Sequence, residues 1–198
     1  MSDDWDRYAA GWDRDEDVRF YADQAFASLV AHVDVRGADW RHRRVLDFGC
    51  GTGLLAEKLA PLVKGVVAVD TSAEMIGELE RKQLRNVQAI RADLDDPAIR
   101  SAASWFADFD LIVASSVCGF LPHYERTVAT LCQALNANGI FVQWDWLASG
   151  DGSTGLSLDR VSAALDEAGL EDVLVREVFS MSSDEGRMPV LMATGTAG

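Results

Sequence analysis

The sequence predicts an α/β fold with a mostly parallel sheet and helices on both faces. From residue 44 onward, short apolar runs alternate with helical patterns, and this alternation is typical of parallel sheets. Several runs are apolar with little alternation, as expected for strands buried on both faces. The expected strands are RVLDF (44–48), GVVAVD (65–70), NVQAI (86–90), FDLIVAS (109–115) and GIFVQWD (139–145).

Helical segments separate these strands: TGLLAEKLAPL, SAEMIGELERKQL, DDPAIRSAASW and HYERTVATLCQAL. Thr71 followed by Glu74 makes a capping box, which predicts a helix start directly after Asp70. In the last segment, one helix face at 3.6-residue spacing is predicted to contain Val128, Leu131, Cys132 and Leu135.

The two ends of the chain differ from the alternating middle. Residues 3–33 predict one or two helices, and SLDRVSAALDEAG predicts a helix closed by Gly169. DVLVREVFS and PVLMATG predict two strands joined by the polar loop MSSDEGRM, which suits an antiparallel hairpin at one sheet edge. We therefore expect a single domain over 1–198, with a helical segment at 1–35 and an α/β core at 44–198.

The net charge of the chain disfavours two classes of function, nucleic-acid binding and membrane-surface binding. The 198 residues include 18 basic and 32 acidic side chains, a formal charge of −14. Because this charge repels nucleic-acid phosphates and anionic membrane surfaces, we expect neither as a partner. The segment MSDDWDRYAAGWDRDED does not resemble a signal peptide, and no apolar stretch approaches the roughly 20 residues of a membrane helix. These features predict a soluble, cytoplasmic protein.

The sequence predicts no metal site and no disulfide framework. Such sites usually show paired ligands at short spacing, for example CxxC. The three cysteines and three histidines are scattered instead, at Cys50, Cys118, Cys132, His32, His42 and His123.

The segment VLDFGCGTG (45–53) places three glycines within five positions after an apolar run. Glycine backbones can take positive φ and let a ligand approach closely, and such folds bind ligands at the carboxyl ends of their strands. A dinucleotide site requires G-x-G-x-x-G, but Leu54 occupies the place of the third glycine. A nucleotide-dependent oxidoreductase is therefore the less favoured interpretation.

Four segments in order, VLDFGCGTG, VVAVDTSAEMI, IRADLDD and FDLIVASSVCGFLPH, resemble the motif series of class I S-adenosylmethionine-dependent methyltransferases. The resemblance extends from DRYAAGWD to the closing hairpin. It implies a Rossmann-like seven-stranded sheet, mostly parallel, with an antiparallel C-terminal hairpin strand. It also implies that residues 1–35 cover the site and that the cofactor is S-adenosyl-L-methionine.

The resemblance assigns residues to the parts of this cofactor. Asp47 would bind the amino group of the cofactor's methionine moiety. The backbone of the turn would approach the same moiety; this turn contains Gly49, Cys50, Gly51 and Gly53. Asp70, with Thr71 beside it, is similar to the acid that binds both ribose hydroxyls, since one carboxylate can accept two hydroxyl protons. As an alternative reading, Asp70 simply starts a helix.

The remaining cofactor contacts also follow from the resemblance. Asp93 matches the acid that accepts from the adenine amino group, with the Leu94 backbone at a ring nitrogen; Asp93 could instead be a turn carboxylate. Ser115 would lie beside the transferring methyl group. Tyr8 and Trp12 would close over the cofactor, or would serve as apolar anchors of the N-terminal helix.

The acceptor is expected near the ends of the fourth and fifth strands. Strand alternation places Trp144 and Trp146 on one face and Asp145 on the other, and small-molecule pockets often have aromatic walls. We add Tyr124 to these substrate candidates and take His123 as the general base, because an imidazole accepts a proton near neutrality. As alternatives, His123 starts the next helix and the tryptophans belong to the core.

The fourth strand ends in ASSVCG and not in the Asn/Asp-Pro-Pro-aromatic motif of DNA-base and glutamine methylation. We therefore expect a small-molecule methyltransferase. An O, N, C or S atom of the acceptor would attack the methyl carbon of the cofactor, and the sequence leaves the choice among these atoms open. Many relatives carry a substrate-covering insertion after the fifth strand, where this chain has only LASGDGSTGL. A cofactor-binding protein of the same fold that transfers nothing is the alternative.

Overall fold

The computed structural model describes residues 5–148, 155–183 and 186–198. The chain divides into two compact units, Met1–Phe106 and Ala107–Gly198. The expected connection LASGDGSTGL lies mostly outside the described residues. None of the helices in the described ranges has the length and apolar character that crossing a membrane requires.

The first unit contains three strands, and β2 pairs in parallel with both of the others. The strands are β1 (Arg44–Phe48), β2 (Gly65–Asp70) and β3 (Val87–Arg91). Its helices are α1 (Glu16–His32), α2 (Leu54–Leu59), α3 (Ala73–Arg81) and α4 (Pro97–Ala102), with 3₁₀ segments at Ala9–Arg14 and Ala38–His42. Val66–Val69 of β2 are all buried, which explains the unbroken apolar run.

In the second unit, β4 and β5 pair in parallel, and β7 is antiparallel to both β5 and β6. The strands are β4 (Phe109–Ser115), β5 (Leu135–Trp146), β6 (Leu170–Ser183) and β7 (Gly186–Ala197). The helices are α5 (Tyr124–Cys132) and α6 (Leu158–Glu167), with a 3₁₀ turn at Cys118–Phe120. Gly169 follows α6 with a φ of 81°, so the predicted helix end is confirmed.

The seven strands have the order β3-β2-β1-β4-β5-β7-β6. The parallel pairs and the antiparallel C-terminal hairpin confirm the predicted Rossmann-like fold class. Several helices begin at the side-chain caps that short polar residues provide. These caps are Asp15 for α1, Ser72 for α3, Asp96 for α4 and Ser157 for α6.

Two helix predictions were wrong. The capping residue of α3 is Ser72, whose hydroxyl accepts from the Met75 amide, and not Thr71. Leu135 does not continue the apolar face of α5, because that helix ends at Cys132 and Leu135 begins β5. A Cβ at Gly139 would lie 2.8 Å from the Asn136 carbonyl oxygen, so the irregular stretch of β5 between Leu135 and Ile140 requires the close approach that glycine permits.

The hairpin loop prediction was also wrong in extent. Much of MSSDEGRM is paired: Met181 lies opposite Met188, and Ser182 lies opposite Arg187. Polar residues suggested a loop, but on an edge hairpin they can occupy exposed ladder positions equally well.

Candidate functional site

The glycine turn after β1 is fixed by the neighbouring strand. Gly49, Gly51 and Gly53 have φ values of 67°, 53° and 80°, in the left-handed region that favours glycine. The amides of Gly49 and Cys50 both donate to the Val69 carbonyl of β2, at 2.8 and 3.0 Å. This bonding holds the backbone of the turn against the end of β2.

Asp70 at the end of β2 is bonded to two backbone amides. Its Oδ2 accepts from the Gly51 amide and its Oδ1 from the Ser72 amide, each at 2.9 Å. Burial raises the pKa of Asp70, whereas these hydrogen bonds act in the opposite direction. The Thr71 amide also bonds to this carboxylate. Since a carboxylate offers about four acceptor positions over its two oxygens, it retains capacity for a ligand hydroxyl. Thr71, next in the chain, is half-buried, and its carbonyl accepts from Arg91 Nε at 3.1 Å.

Asp47 is the buried carboxyl group of this region, with 1% of its surface exposed. The Ala56 amide of α2 donates to the carboxylate, but Oδ2 has no hydrogen-bond partner among the described residues. Burial, with a smaller contribution from the charge of Asp70, raises the pKa of Asp47 to about 7. A buried oxygen without a donor costs free energy, so this atom marks a place where a ligand donor would stabilise the protein.

Side chains of the N-terminal segment 5–15 contact the two loops that follow β1 and β2. Asp6 accepts from the Ser72 hydroxyl and from the Glu74 amide. Asp13 accepts from the Thr52 hydroxyl and pairs with Lys82 Nζ at 2.8 Å. These acidic contacts anchor the segment beside the glycine turn.

The two aromatic residues predicted to cover the site differ in position. Trp12 is half-buried, and a Cβ at Gly51 would lie 3.8 Å from its Nε1 atom. Tyr8 is exposed and its ring centroid lies 6.2 Å from that of Trp5. Trp12 is therefore at the glycine turn, whereas Tyr8 lies on the surface of the same segment.

The two adenine candidates lie in the turn after β3. Asp93 is exposed and its Oδ1 accepts from the Asp95 amide at 2.9 Å. Leu94 is buried, and its carbonyl accepts from Arg100 at 2.6 Å. The turn bond of Asp93 fits the alternative of a turn carboxylate, and it leaves the other oxygen exposed for a ligand.

In the second unit, β4 ends in a turn held by β5. Ser115 lies opposite Trp144 in the ladder. Ser116 follows with a φ of 55°, and its amide donates to the Trp144 carbonyl at 2.7 Å. His123 is exposed at the residue before α5, without a side-chain cap bond to the helix.

The substrate candidates in this unit are mostly buried. Tyr124, Trp144 and Asp145 each have 1% or less of their surface exposed, and Trp146 is half-buried. Asp145 accepts from the Gly119 amide at 2.9 Å and from Gln143 Nε2 at 3.3 Å. Burial raises its pKa to about 7 and also raises the pKa of Tyr124.

Residues 19–181 of the chain match the model of a methyltransferase domain family. The chain belongs to the methyltransferase domain family. This membership confirms the class I S-adenosylmethionine-dependent methyltransferase family that the motif series indicated.

Among the residues that the structure describes, no group of three or more His, Cys, Asp or Glu side chains could hold a metal ion.

The curated relatives of this methyltransferase domain are named for different acceptors. A cypemycin N-terminal methyltransferase of Streptomyces is 36% identical over 111 residues, which cover 55% of the chain and 42% of the relative. The trans-aconitate 2-methyltransferase of Mycobacterium tuberculosis is 31% identical over 118 residues, which cover 58% of the chain and 40% of the relative. The chain thus spans about two fifths of the length of these relatives.

A solved structure shows the same fold. The magnesium protoporphyrin IX methyltransferase of Synechocystis, determined with bound S-adenosylmethionine, superposes with a TM-score of 0.65 at 17% identity. The alignment covers 92% of this methyltransferase domain and 80% of that chain.

Sequence reasoning missed the polar anchors beside the candidate residues of each unit. In the first unit these are Asp6, Asp13, Thr52 and Ser72. In the second unit they are Gly119 and Gln143. Acidic residues at DDWDRYAAGWD were visible in the sequence, but their partners lie 39 and 66 residues away, and no local spacing identifies such pairs.

Proposed function

We propose that this chain binds S-adenosylmethionine and catalyses transfer of its methyl group to a small-molecule acceptor. The observation that carries the proposal is the unpartnered Asp47 oxygen, buried directly before the glycine turn. An ammonium group, such as that of the cofactor's methionine moiety, supplies both a donor and a positive charge to this oxygen. Membership of the methyltransferase family supports the same choice.

Other residues of the first unit suit the remaining parts of the cofactor. The turn containing Gly49, Cys50, Gly51 and Gly53 suits the methionine moiety, because ligands can approach glycine backbones closely. Asp70, whose carboxylate already accepts from backbone amides, retains acceptor capacity that suits the ribose hydroxyls. Asp93 and the Leu94 backbone suit the adenine ring, and Trp12 and Tyr8 suit a cover.

The cofactor, when bound, supplies a methyl group on a positively charged sulfur. Orientation accounts for much of the catalysis of such a displacement, so the main task of the chain's residues is to hold the reactants. In the second unit we assign the acceptor contacts to Ser115, His123 and Trp146, which retain exposed surface. His123 takes the proton of an acceptor that must lose one.

Asp70→Ala tests the cofactor assignment. Because the variant lacks both acceptors for the ribose hydroxyls, its affinity for S-adenosylhomocysteine should fall about 100-fold, measured by isothermal titration calorimetry. Asp23→Ala is the matched control, since Asp23 is an exposed aspartate of the same unit that pairs with Lys58; its affinity should equal that of the wild type. Unchanged affinity in a folded Asp70→Ala protein would refute the assignment.

The acceptor class is supported by charge. At −14 the chain repels polyanions. Trans-aconitate, for which one curated relative is named, is a small molecule. Incubation with isotope-labelled S-adenosylmethionine should label the small-molecule fraction of a cell extract and leave tRNA and duplex DNA unlabelled. Label in nucleic acid would contradict the proposal.

A cofactor-binding protein without transfer activity is the second candidate. The burial of Tyr124, Trp144 and Asp145 favours it, because these side chains offer an acceptor almost no surface. This candidate expects the same calorimetric result for Asp70→Ala but no labelled product from any extract. The two experiments together therefore separate binding from transfer.

A further inference from the structure

Asp145 belongs to a chain of buried polar side chains in the second unit. Its Oδ1 accepts from the Gly119 amide and its Oδ2 from Gln143 Nε2. Gln143 Oε1 in turn accepts from the Tyr124 hydroxyl at 2.9 Å. The Cys118 thiol also donates to Asp145. Because the four side chains have 1% or less of their surface exposed, the bonds among them face little competition from water.

This chain of bonds holds the turn that follows β4. Ser116 has a left-handed φ of 55°, which is unfavourable for a residue with a side chain, and the Trp144 carbonyl accepts from its amide. Three residues later, the Asp145 carboxylate accepts from the Gly119 amide. Two consecutive residues of β5 therefore bind the turn, one through its backbone and one through its side chain.

The same chain of bonds also anchors the far end of the segment, at Tyr124. The Tyr124 hydroxyl reaches Gln143, and the Arg160 guanidinium carbon lies 5.3 Å from the centre of its ring. Between Gly119 and Tyr124 the chain presents Phe120, of which 48% is exposed, and the exposed His123. Phe120 and His123 therefore lie between Gly119, which bonds to Asp145, and Tyr124, which bonds to Gln143; Gln143 and Asp145 also bond to each other.

We propose that Asp145 is a positioning residue, which sets the segment Ser116–Tyr124 so that Phe120 and His123 contact the acceptor. This inference rests on the proposed methyl transfer. Phe120 provides an apolar face and His123 an imidazole, so the segment fits an acceptor with an apolar surface beside the attacking atom. In this proposal Asp145 itself touches neither the acceptor nor the cofactor, since it is 1% exposed and both of its oxygens accept from protein donors.

The geometry predicts different behaviour for two substitutions. Asp145→Ala removes the acceptor for Gly119 and the partner of Gln143. Asp145→Asn retains an oxygen for the Gly119 amide, and its new amide group can donate to Gln143 if the Gln143 side-chain amide rotates. Gln143 Nε2 then donates to the Tyr124 hydroxyl, so the chain of bonds persists with its direction reversed.

The experiment measures amide hydrogen exchange over 116–124 and methyl transfer from labelled S-adenosylmethionine into a small-molecule cell extract. Asp145→Ala should speed exchange of the segment and raise the half-saturating extract concentration, each about tenfold, because the Gly119 amide of the segment loses its carboxylate acceptor. Asp145→Asn should restore both to within about threefold of wild type. Cofactor affinity by calorimetry should stay unchanged in both.

Asp110→Ala is the matched control: Asp110 lies at the start of β4 and accepts from Asn136 at 3.1 Å, so it loses a comparable bond away from the segment. Tyr124→Phe gives a second test that opens no cavity, with about a threefold rise in half-saturation expected. Wild-type exchange and half-saturation in folded Asp145→Ala and Tyr124→Phe proteins would overturn the inference. Absence of transfer by the wild type would instead overturn the proposed function, and with it the acceptor role of the segment.

Discussion

Each unit of the chain buries an aspartate one residue before the end of a parallel strand, Asp47 in β1 and Asp145 in β5. Both have 1% of their surface exposed, and burial raises the pKa of both to about 7. Their partners differ, however. Both oxygens of Asp145 accept hydrogen bonds, whereas Oδ2 of Asp47 has no partner among the described residues.

We propose that this difference separates a ligand-binding carboxylate from a structural one. A buried acceptor that the protein satisfies holds the backbone in place, and removing it leaves other buried groups unpaired. A buried acceptor that the protein leaves unsatisfied costs stability, and a ligand that donates to it recovers that cost. We infer from the partners, and not from burial or pKa, that Asp47 faces a ligand and Asp145 supports a turn.

The largest expected effect is on the pH dependence of stability. Because both pKa values are raised, the folded protein keeps two protons that the unfolded chain releases between about pH 4 and 7. The free energy of unfolding should therefore fall as pH rises through this window, by on the order of 4 kcal/mol for each group. Asp47→Asn and Asp145→Asn should each reduce the fall, measured by urea denaturation at several pH values.

Adding S-adenosylhomocysteine sharpens this test. A cationic ammonium beside Asp47 favours its charged form and lowers its pKa, so the cofactor should remove the contribution of Asp47 to the pH dependence. The contribution of Asp145 should remain. If the ligand leaves the slope of the Asp145→Asn protein unchanged, Asp47 does not bind the ammonium group.

A second, smaller effect compares one glycine from each unit. A Cβ at Gly53 would lie 2.3 Å from Leu79 Cδ1, at a φ of 80°, whereas a Cβ at Gly119 would lie 3.3 Å from Asp145 Oδ1 without a left-handed φ. Gly53→Ala should lower the free energy of unfolding by about 2 kcal/mol. Gly119→Ala should lower it by less than about 1 kcal/mol. Equal losses in chemical denaturation would contradict this ranking.

The smallest effect concerns the ion pairs at the surface of each unit. Lys82 pairs with Asp13 and Glu57, and its side chain is 16% exposed, whereas Arg160 pairs with Glu125 at about half exposure. Lys82→Gln should cost about 1 kcal/mol and Arg160→Gln less than that. Both losses should shrink in 1 M salt, because added ions screen exposed charges. A larger loss for Arg160→Gln would point to its contact with the Tyr124 ring.

The sequence predicted features that depend on neighbouring residues. The strands, the glycine turn and the acids at or next to the ends of β1 and β2 are local patterns, so spacing predicted them to within a few residues. β5, however, begins four residues earlier than expected, at Leu135. The cap of α3 was misplaced by one residue because Thr71 and Ser72 are both capable caps, and only the backbone conformation selects between them.

The predictions that required long-range partners were less complete. Strand alternation separates Asp145 from Trp144 and Trp146, but β5 is buried from Phe141 to Asp145, so alternation cannot tell which face meets a ligand. The bond from Gly119 to Asp145 joins residues 26 positions apart. Such contacts depend on how strands pair, which a single sequence does not encode in any short motif.

The irregular pairing of β6 has a consequence for how the protein behaves at high concentration. This strand lies at one end of the strand order, and its register shifts twice, between Glu171 and Leu174 and between Glu177 and Phe179. Its exposed residues include the charged side chains of Glu171, Asp172, Arg176 and Glu177. An added strand requires an even row of amides and carbonyls, which bulges interrupt and like charges oppose. Crowding alone should therefore not cause copies of this chain to polymerise along β6.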